Sequence, residues 1–509
     1  MFRFVLLWIL CVPTTLAFLA CQRSTAWRKH SKILSLRASV PPSLIEDSTS
    51  GSSSDHDLLH LPPGRRTLKR FKFLSFLFDD SLKLLNPKTM GSYQALRREK
   101  YGDIFKTNIF GRPTVVCASA EMLKALGKEE GRTSSSKGME QFFPPHHQKL
   151  FGPQSLLVQS GTTHSRLRQL IQPSLAPALM KSIYQPILEE AVHDFLADLH
   201  QTSLGGEIKD EFQPVVPHLR AFFISIALQI LLGKSTEPPP GLAQDLTIWS
   251  KGLLAPPLTF IPWSTAGKAM RARQRIADTL LPLMEQERQN NKKDTSDNKN
   301  NSLLARLVSS VDDQGNTLSN QDILDNVLTL VFAGSDTTAS AATSLWMTLS
   351  DNLSLKQKLQ NDPALIPKAV QTVLESFPPA PFSMRLTNEP LVVQGYDIPA
   401  KWLVVYGFAG ALVPSSNEKK FEPALEFMDR LKQLEIAETS TTPSSATSSV
   451  AFGTGPRMCP GRYLATLELE ILCQNLLEYD WELEPEQNLQ QTYTPGFFPK
   501  GGLKIRFNG

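Results

Sequence analysis

The sequence predicts a mainly α globular enzyme with a small β-region, and three observations lead to that fold class. Apolar residues recur at helical spacing through most of residues 156–330, with short breaks. The stretch 319–353 is apolar on all faces in its middle, as expected of a long helix that runs through a core. Residues 101–119 and 386–408 each read instead as two short strands around a turn.

Length and composition allow a large core and narrow the class of protein. The chain has 509 residues with 41% hydrophobic content, which is enough to bury a large core. Its formal charge of +4 is nearly balanced and shows no basic stripe, so we expect no nucleic acid among its partners. Proline outnumbers glycine, 37 to 28, and no repeat of fixed period is present, which favours an enzyme over a repeat array.

Residues 1–45 read as a targeting segment. Residues 1–20, MFRFVLLWILCVPTTLAFLA, combine a basic residue, a short apolar run and a small-x-small site at 15–17, as in a signal peptide. Residues 18–45 contain arginine, lysine and serine but no acidic residue, which is typical of a transit peptide. The combination resembles the two-part plastid presequences of algae with complex plastids. The alternative is an endoplasmic reticulum membrane anchor, because residues 2–20 approach the ~20 residues of a tilted span.

The folded domain is predicted to span residues 61–509. Residues 46–60, which begin EDSTSGSSSDHD, are predicted to be a disordered linker before it. Within the domain, the loop 253–263, LLAPPLTFIPW, is unusually apolar for a surface. It predicts contact with a membrane or a mouth through which an apolar substrate enters.

The long helix at 319–353 has a recognisable start and a polar interruption. Ser319 and Asp322 suit a capping box, with the acid in place of the usual Glu or Gln. Asp336 and a series of serines and threonines interrupt the apolar run. The helix is therefore predicted to cross a protein core and not a membrane.

Cys459 lies in the stretch FGTGPRMCPG, 452–461, and its chemistry has to involve a single thiol. The five cysteines form no Cys-x-x-Cys pair and show no regular spacing, which argues against zinc, iron–sulfur and disulfide sites. Cys459 is predicted to precede a helix, with Pro460 in the first turn. The positive end of the helix dipole would favour a thiolate there.

The residues around Cys459 suit a flat, anionic group. Gly453, Gly455 and Gly461 remove side chains on either side of the thiol, and Arg457 could pair with an anion. A haem has the matching features: a planar ring, an iron that accepts thiolate, and propionates that bind arginine. The simpler alternative is a buried structural cysteine in a glycine turn.

One fixed six-position pattern is filled throughout, by Phe452, Gly453, Gly455, Arg457, Cys459 and Gly461. With this pattern the segment resembles the haem-ligand loop of the cytochrome P450 family. The resemblance implies the cytochrome P450 fold across residues 61–509. It also implies haem b, iron protoporphyrin IX, bound through the thiolate of Cys459.

The segment AGSDTT, Ala333 to Thr338, resembles the oxygen-activation segment of the same family. Glycine and hydroxyl side chains weaken or bend a buried helix, so their presence needs a reason. The resemblance implies that Ala333 and Gly334 leave room for dioxygen. It implies that Asp336 and Thr337 relay protons. The alternative is a close crossing of two helices at small residues.

Three more cations are implied to bind the haem propionates. The stretch GTTHSRLR, 161–168, resembles a helix of the family whose His or Trp and Arg reach a propionate, which implies His164 and Arg168. Spaced four apart, the two side chains would share one helix face. Arg385, in PPAPFSMR, corresponds to a further propionate contact. Each alone reads as a surface salt bridge, but their order and spacing favour the haem.

One landmark of the family is missing. The helix before Pro378 and Pro379 should carry Glu-x-x-Arg, but the two positions hold Thr372 and Glu375. Removing a partner from a buried charge pair costs roughly 3–5 kcal/mol. Haem stability and turnover are therefore in more doubt than the fold. A Glu375–Arg430 pair is one hypothesis for how the loss is compensated.

The resemblance implies a monooxygenase that inserts one oxygen atom from O2 into an apolar substrate. Residues 256–276 resemble the retinoic-acid-hydroxylase-like and the sterol- and carotenoid-oxidising branches, which suggests an isoprenoid or lipid. No flavin or nicotinamide fingerprint is present, so electrons would come from a separate electron donor, a ferredoxin or flavoprotein reductase.

Two other functions stay open at this point. A P450-fold hydroperoxide isomerase or dehydratase would need no reductase, although the Asp336–Thr337 pair argues against it. A non-catalytic haem-binding or apolar-ligand-binding protein is compatible with the missing Glu-x-x-Arg.

Overall fold

The computed structural model describes residues 60–64, 80, 90–133, 138–143, 145–205, 212–234, 236–253, 255–293, 302–412, 450–489, 491–493 and 496–508. The predicted targeting segment, almost all of the predicted linker, and Arg430 lie outside the described residues. The statements made about them above stay predictions.

Helices make up most of the described chain. They are α1 Met90–Tyr101, α2 Ala120–Thr133, α3 Pro145–Phe151, α4 Gly161–Ile171, α5 Gln185–Gly205, α6 Val215–Leu232, α7 Leu242–Leu253, α8 Thr265–Lys293, α9 Leu303–Ser309, α10 Asn320–Asp351, α11 Leu353–Asn361, α12 Ile366–Ser376, α13 Phe408–Leu412 and α14 Arg462–Leu476. Shorter helical turns are Gln172–Leu175, Pro177–Leu179, Met180–Tyr184, Pro363–Leu365 and Gly455–Arg457.

The strands are short and group into small sheets. They are β1 Ile104–Ile109, β2 Arg112–Cys117, β3 Met139–Gln141, β4 Gln213–Pro214, β5 Ser383–Thr387, β6 Leu391–Val393, β7 Tyr396–Ile398, β8 Leu403–Tyr406, β9 Trp481–Leu483, β10 Gln491–Tyr493, β11 Phe497–Pro499 and β12 Lys504–Phe507. The predicted fold class, mainly α with a small β-region, is confirmed.

The largest described sheet has the strand order β1-β2-β8-β5-β3. β1 and β2 form the hairpin predicted for 101–119, with Ile104 opposite Cys117. Phe110 and Gly111 make the turn with φ of 53° and 65°, and a tight two-residue turn of this kind needs positive φ at both positions. β8 then pairs parallel with β2, so the chain returns to this sheet after the long helical region.

The two strands expected in 386–408 are four short ones, so that prediction was wrong in number. β6 and β7 flank the turn at Gln394 and Gly395, where the sequence placed a turn. Pro390 and Pro399 lie at the breaks that separate this hairpin from β5 and β8. Proline has no N–H to donate to a strand ladder, so it interrupts pairing at these points.

Helix α10 is the central helix of the domain. Its predicted capping box is present: the Ser319 hydroxyl accepts from the Asp322 N–H at 3.1 Å, and the Asp322 carboxylate accepts from the Ser319 N–H at 2.9 Å. The helix packs against α6, α8, α12 and α14. Leu328 and Trp346 are fully buried along it, as its apolar pattern predicted.

Two buried apolar clusters meet at the segment that leads into the cysteine loop. The smaller cluster lies between the large sheet and α2, and it includes Phe408 and Val450. Ala451 and Phe452 pack against the larger, helical cluster. The cysteine loop therefore begins at the boundary between the β-region and the helical core.

In the described part of the chain, one helix is long and apolar enough by composition to cross a membrane. This is α6, with a mean hydropathy of 1.8. Its residues Leu219, Phe223 and Ile226 are buried in the helical core, and a core helix of a globular protein has the same composition.

Candidate active site

The loop 452–461 is held in one conformation by its own backbone and by α2. The Cys459 N–H donates to the Phe452 carbonyl at 2.8 Å, which closes the loop on itself. Thr454 donates its hydroxyl to the Leu123 carbonyl at 2.8 Å. Gly455 has a φ of 68°, and a Cβ there would lie 2.5 Å from the Gly127 carbonyl oxygen. Only glycine fits at this approach, which accounts for its place in the pattern.

Cys459 lies one turn before α14, and the helix begins later than predicted. Gly461 is the N-cap and the first helical residue is Arg462, so Pro460 precedes the helix and is not in its first turn. Burial raises the pKa of the Cys459 thiol, while the Gly461 N–H, Arg168 and Arg462 act in the opposite direction. The local backbone alone does not make a thiolate here. A bound cation at the sulfur would, because a metal deprotonates the thiol that ligates it.

The middle of α10 opens onto free space at the predicted small residues. Ala333 is exposed although its helix runs through the core, and Gly334 has room for a Cβ with nothing within 4 Å. Thr337 is also partly open, and its hydroxyl donates to the Ala333 carbonyl. A close helix crossing would fill these positions with a neighbouring side chain. The open space argues against the crossing and fits a cavity beside the helix.

Thr338, on α10, lies beside Glu468, on the helix that follows Cys459. Thr338 is the residue after the predicted proton-relay pair, and α14 packs against α10. The two sequence motifs, more than a hundred residues apart in the chain, therefore lie on neighbouring helices. Burial raises the pKa of Glu468 to about 8, with the Thr338 side chain opposing the rise. Sequence reasoning missed this acid, because a glutamate on a helix is usually exposed.

Asp336 points toward a partner that the sequence did not reveal. Its carboxylate lies 3.4 Å from the Arg220 Nε, on α6. The Arg220 guanidinium also lies over the Phe498 ring, 4.1 Å from its centroid. Burial raises the pKa of Asp336 to about 6, and Arg220 limits the rise. A carboxyl group with this pKa can hold and release a proton near neutral pH.

A cluster of arginines lies beside the cysteine loop, on β5 and in the loop itself. Arg385 is buried and its Nε donates to the Glu130 carboxylate at 2.6 Å. The Arg457 Nε lies 3.4 Å from the same carboxylate. The Tyr406 hydroxyl donates to the other Glu130 oxygen at 2.7 Å. We name Glu130, Arg385, Tyr406 and Arg457 the arginine cluster. Two of its members, Arg385 and Arg457, were predicted from the sequence.

The other two residues predicted to bind propionates, His164 and Arg168, lie close to this cluster. His164 is buried on α4, and burial together with Arg457, Arg168 and Arg385 lowers its pKa to about 3. Arg168, one turn later, donates from Nε to the Gln172 side chain at 2.8 Å. It also lies near enough to affect the Cys459 thiol. The structure thus gathers Arg168, Arg385 and Arg457 beside the cysteine loop, together with His164, whose lowered pKa makes it neutral near pH 7.

Positive charge at this density in a buried position needs anionic partners. Haem propionates supply carboxylates, and a single thiol supplies the one protein ligand that haem iron takes in this arrangement. Among the described residues, no group of three or more His, Cys, Asp or Glu could hold another metal ion. The residues present therefore fit a haem.

Helix α12 carries Thr372 and Glu375 at the two positions where the family has Glu-x-x-Arg. The Thr372 hydroxyl donates to the Lys368 carbonyl at 2.8 Å, one turn back in the same helix. The Glu375 carboxylate accepts from the Gln371 side chain at 2.9 Å. Both contacts are local to α12. The proposed Glu375–Arg430 pair stays a hypothesis, because Arg430 lies outside the described residues.

Comparisons with known proteins agree with this arrangement. The sequence model of the family described as Cytochrome P450 matches residues 77–506. Abscisic acid 8'-hydroxylase 2 of Arabidopsis thaliana is 26% identical over 477 residues, which cover 88% of this chain and 90% of that protein. Abscisic acid 8'-hydroxylase 3 of Oryza sativa subsp. indica is 28% identical over 434 residues and 80% of each chain. The structure of retinoic acid-bound cyanobacterial CYP120A1 has a TM-score of 0.70 and 25% identity, covering 89% of this chain and 100% of that one.

Proposed function

Because the chain belongs to the cytochrome P450 family, we propose that it binds haem b through the Cys459 thiolate and hydroxylates an isoprenoid acid with dioxygen. The observation that carries the proposal is the juxtaposition of two motifs. The cysteine loop leads into α14 and the open stretch belongs to α10, and these two helices, from distant parts of the chain, pack against each other. Neither motif needs the other to form locally, so their meeting supports a shared cofactor.

The protein's own residues would hold the haem at two places. Cys459 would ligate the iron, and Gly453 and Gly461 leave the ring free to lie against the loop. Arg385 and Arg457 would bind propionates, with His164 and Arg168 near the same edge. A haem bound through the Cys459 thiolate would supply dioxygen activation, because the sulfur would push electron density toward the iron.

Asp336 and Thr337 would move protons to the reacting oxygen. Asp336 has a pKa of about 6 and so is partly protonated near neutral pH. Its partner Arg220 is on α6, and 14% of the Asp336 side chain is exposed, so the carboxyl group keeps some contact with solvent for proton exchange. Thr337 is adjacent and its hydroxyl, which donates to the Ala333 carbonyl, could turn to donate into the open space. The pair therefore forms a short acid–alcohol relay.

The substrate class rests on the relatives and on the apolar surroundings of α10. The named relatives act on abscisic acid, and the structural neighbour has retinoic acid bound. Both compounds are isoprenoid carboxylic acids. Phe332, next to Ala333, contacts the rings of Phe151 and Trp249 at 5.5 Å and 6.0 Å between centroids. Aromatic side chains beside the segment 333–338 suit an apolar, unsaturated substrate.

The test uses the full-length protein with haem supplied during expression. Reduced protein with carbon monoxide should show the strongly red-shifted Soret band of thiolate ligation. Abscisic acid and retinoic acid, given with a reductase system and O2, should each be compared with a saturated fatty acid for a product with one added oxygen. Haem bound without the red shift would overturn Cys459 as ligand. Conversion of a lipid hydroperoxide without reductant would instead indicate the isomerase or dehydratase alternative.

We infer that electrons reach the haem from a separate ferredoxin or flavoprotein reductase. Arg168 and Arg462 line an open cavity of about 290 Å³ together with Pro460, the residue next to the cysteine. A cationic surface this close to the sulfur suits an acidic electron donor. Turnover supported by a ferredoxin system and lost at high ionic strength would support this; equal turnover at all ionic strengths would contradict it.

Membrane association is proposed from the loop between α7 and α8, which the sequence singled out as apolar. Phe260 and Trp263 are 70% and 78% exposed. Beside them, Lys251, Lys268 and Arg271 line a cavity of about 490 Å³. Exposed aromatic rings with a cationic rim suit the interface of an anionic membrane. The full-length protein with Trp263→Ser should float less with anionic vesicles than the wild type, whereas Trp402→Ser, far along the sequence in the β-region, should not change flotation.

The compartment follows from residues 1–45, and we propose import into a plastid. The support is compositional: a signal-like stretch followed by a basic, acid-free stretch. A fluorescent protein fused behind residues 1–60 should enter plastids of an alga with complex plastids. Retention in the endoplasmic reticulum membrane would establish the anchor alternative.

A further inference from the structure

Glu130 places a carboxylate among the cations assigned to the haem propionates. It lies near the end of α2 and is buried, with 5% of its side chain exposed. One oxygen accepts from the Arg385 Nε at 2.6 Å and lies 3.4 Å from the Arg457 Nε. The other accepts from the Tyr406 hydroxyl at 2.7 Å. Both oxygens are therefore used by groups from other elements.

Beside two haem propionates, Glu130 would be a third carboxylate near these arginines, and charge alone gives no reason for it. Propionates and Glu130 would compete for the same arginines, and a buried carboxylate is costly unless well paired. A favourable effect of Glu130 must therefore offset the cost of burying its carboxylate. The geometry of the two arginines indicates which effect this is.

Each arginine is fixed on one side and left open on the other. Arg385 uses Nε for Glu130, and Nη1 for the Ser383 hydroxyl at 2.7 Å and the Met384 carbonyl at 3.2 Å. Its Nη2 makes no hydrogen bond to any residue in the described ranges. The Arg385 guanidinium also stacks over the Tyr406 ring, 4.9 Å from its centroid. Its plane is thus set from three directions.

Arg457 follows the same pattern. Its Nη2 donates to the Gln159 carbonyl and, at 3.0 Å, to the Ser160 hydroxyl, while Nε faces Glu130. Within the part of the chain that the structure describes, Nη1 has no hydrogen-bond partner. One terminal nitrogen on each arginine is therefore left for an outside acceptor.

We propose that Glu130 is a positioning residue that aims Arg385 and Arg457 at the haem propionates and adds a fixed negative charge beside the haem. The inference rests on the proposed haem site. Two guanidinium groups and Glu130 leave one net positive charge to face two propionates, so Glu130 makes the haem surroundings more negative. A negative charge favours the oxidised iron, which carries the extra positive charge. Glu130 should therefore hold the reduction potential of the haem lower than it would otherwise be.

The test compares Glu130→Gln with Glu129→Gln in the full-length haem-loaded protein. Glu129 is the neighbour on α2, and it pairs with Arg132 at 3.2 Å on the surface. Glu130→Gln keeps the shape and removes the charge. It should shift the midpoint potential upward and speed the loss of haem to an apo-globin acceptor about tenfold or more. Glu129→Gln should match the wild type in both measurements.

A second variant tests the sign independently and covers poor folding of the first. Tyr406→Phe removes a neutral donor from the Glu130 carboxylate and leaves its charge less dispersed. The midpoint potential should move downward, opposite to the shift in Glu130→Gln. A purely structural role for Glu130 would lower thermal stability in both variants and leave both potentials at the wild-type value.

The failures of the two proposals are distinguishable. A wild-type protein that takes up no haem overturns the haem site and this inference with it. Wild-type protein with haem, and Glu130→Gln with the same potential and haem loss as Glu129→Gln, overturns only the positioning role.

Discussion

Asp336 and Glu130 are two acids of the candidate active site that differ in how closely other groups pair with them. Asp336, on α10, faces Arg220 at 3.4 Å, and burial raises its pKa to about 6. Glu130, in the arginine cluster, takes close hydrogen bonds from Arg385 and Tyr406. An acid that must change its protonation state is helped by loose pairing. An acid that must stay charged is helped by donors on both oxygens. The two acids therefore differ in their close donors and not in burial alone, and this difference matches the roles proposed for them.

The largest effect is expected for substitution of Cys459, the proposed haem ligand. Cys459→Ser should abolish the red-shifted carbon monoxide band and all product formation, because no other thiol lies in the cysteine loop. Absorption spectra of reduced protein with carbon monoxide provide the measurement. Cys473→Ser, a buried cysteine on α14, is the control and should keep the band. A persistent red-shifted band in Cys459→Ser would place the ligand elsewhere.

The next effect tests the proposed role of Asp336 as a proton carrier. Asp336→Asn should lower turnover about 100-fold, since a positioned acid contributes roughly that factor, while haem content and midpoint potential stay unchanged. Asp313→Asn, in an exposed loop, should behave like the wild type. Turnover and spectra measured on the same preparations decide this. A large loss of haem in Asp336→Asn would mean that the acid is structural.

Glu468 extends the comparison to a buried acid whose protonated form is favoured. Its pKa is raised by burial to about 8, so the folded protein binds a proton that the unfolded chain releases near pH 4.5. That contribution to stability is complete below about pH 4.5 and is lost as the pH rises toward 8. The wild type should therefore lose on the order of 3 kcal/mol relative to Glu468→Gln between pH 5 and pH 8. Unfolding by denaturant at the two pH values measures it; parallel stabilities would contradict the raised pKa.

The smallest effect concerns Arg220, which limits the rise in the pKa of Asp336. Arg220 lowers the pKa of Asp336, so Arg220→Met should raise that pKa further. The pH at which turnover falls to half should then move upward by less than about one unit, because Arg220 is about a third exposed and solvent screens it. Arg506→Met, which breaks an exposed pair with Glu482, should leave the profile unchanged. A downward shift would show that Arg220 acts on some other group.

The sequence predicted those features whose cause is local. The capping box of α10 follows from Ser319 and Asp322, three residues apart, because the first turn of a helix brings them together. The cysteine loop could be recognised residue by residue for a similar reason: Gly453 and Gly455 have positive φ in its turns, and Gly455 closely approaches α2. Errors arose at boundaries. The helix after Cys459 starts at Arg462, and prolines cut the strands of 386–408 into four.

Only the tertiary structure decided which charges meet. Glu130 reaches Arg385 across 255 residues and Tyr406 across 276, and in the sequence it reads as an ordinary charged residue at a helix end. The partner of Asp336 is on another helix. The burial of Glu468 could not be predicted, because no feature of the neighbouring sequence indicates it. Periodicity and spacing report contacts within a turn or two of the chain. Long-range charge pairs depend on how whole helices and sheets pack, so the sequence determined the cysteine loop and α10, and packing determined the charges that surround them.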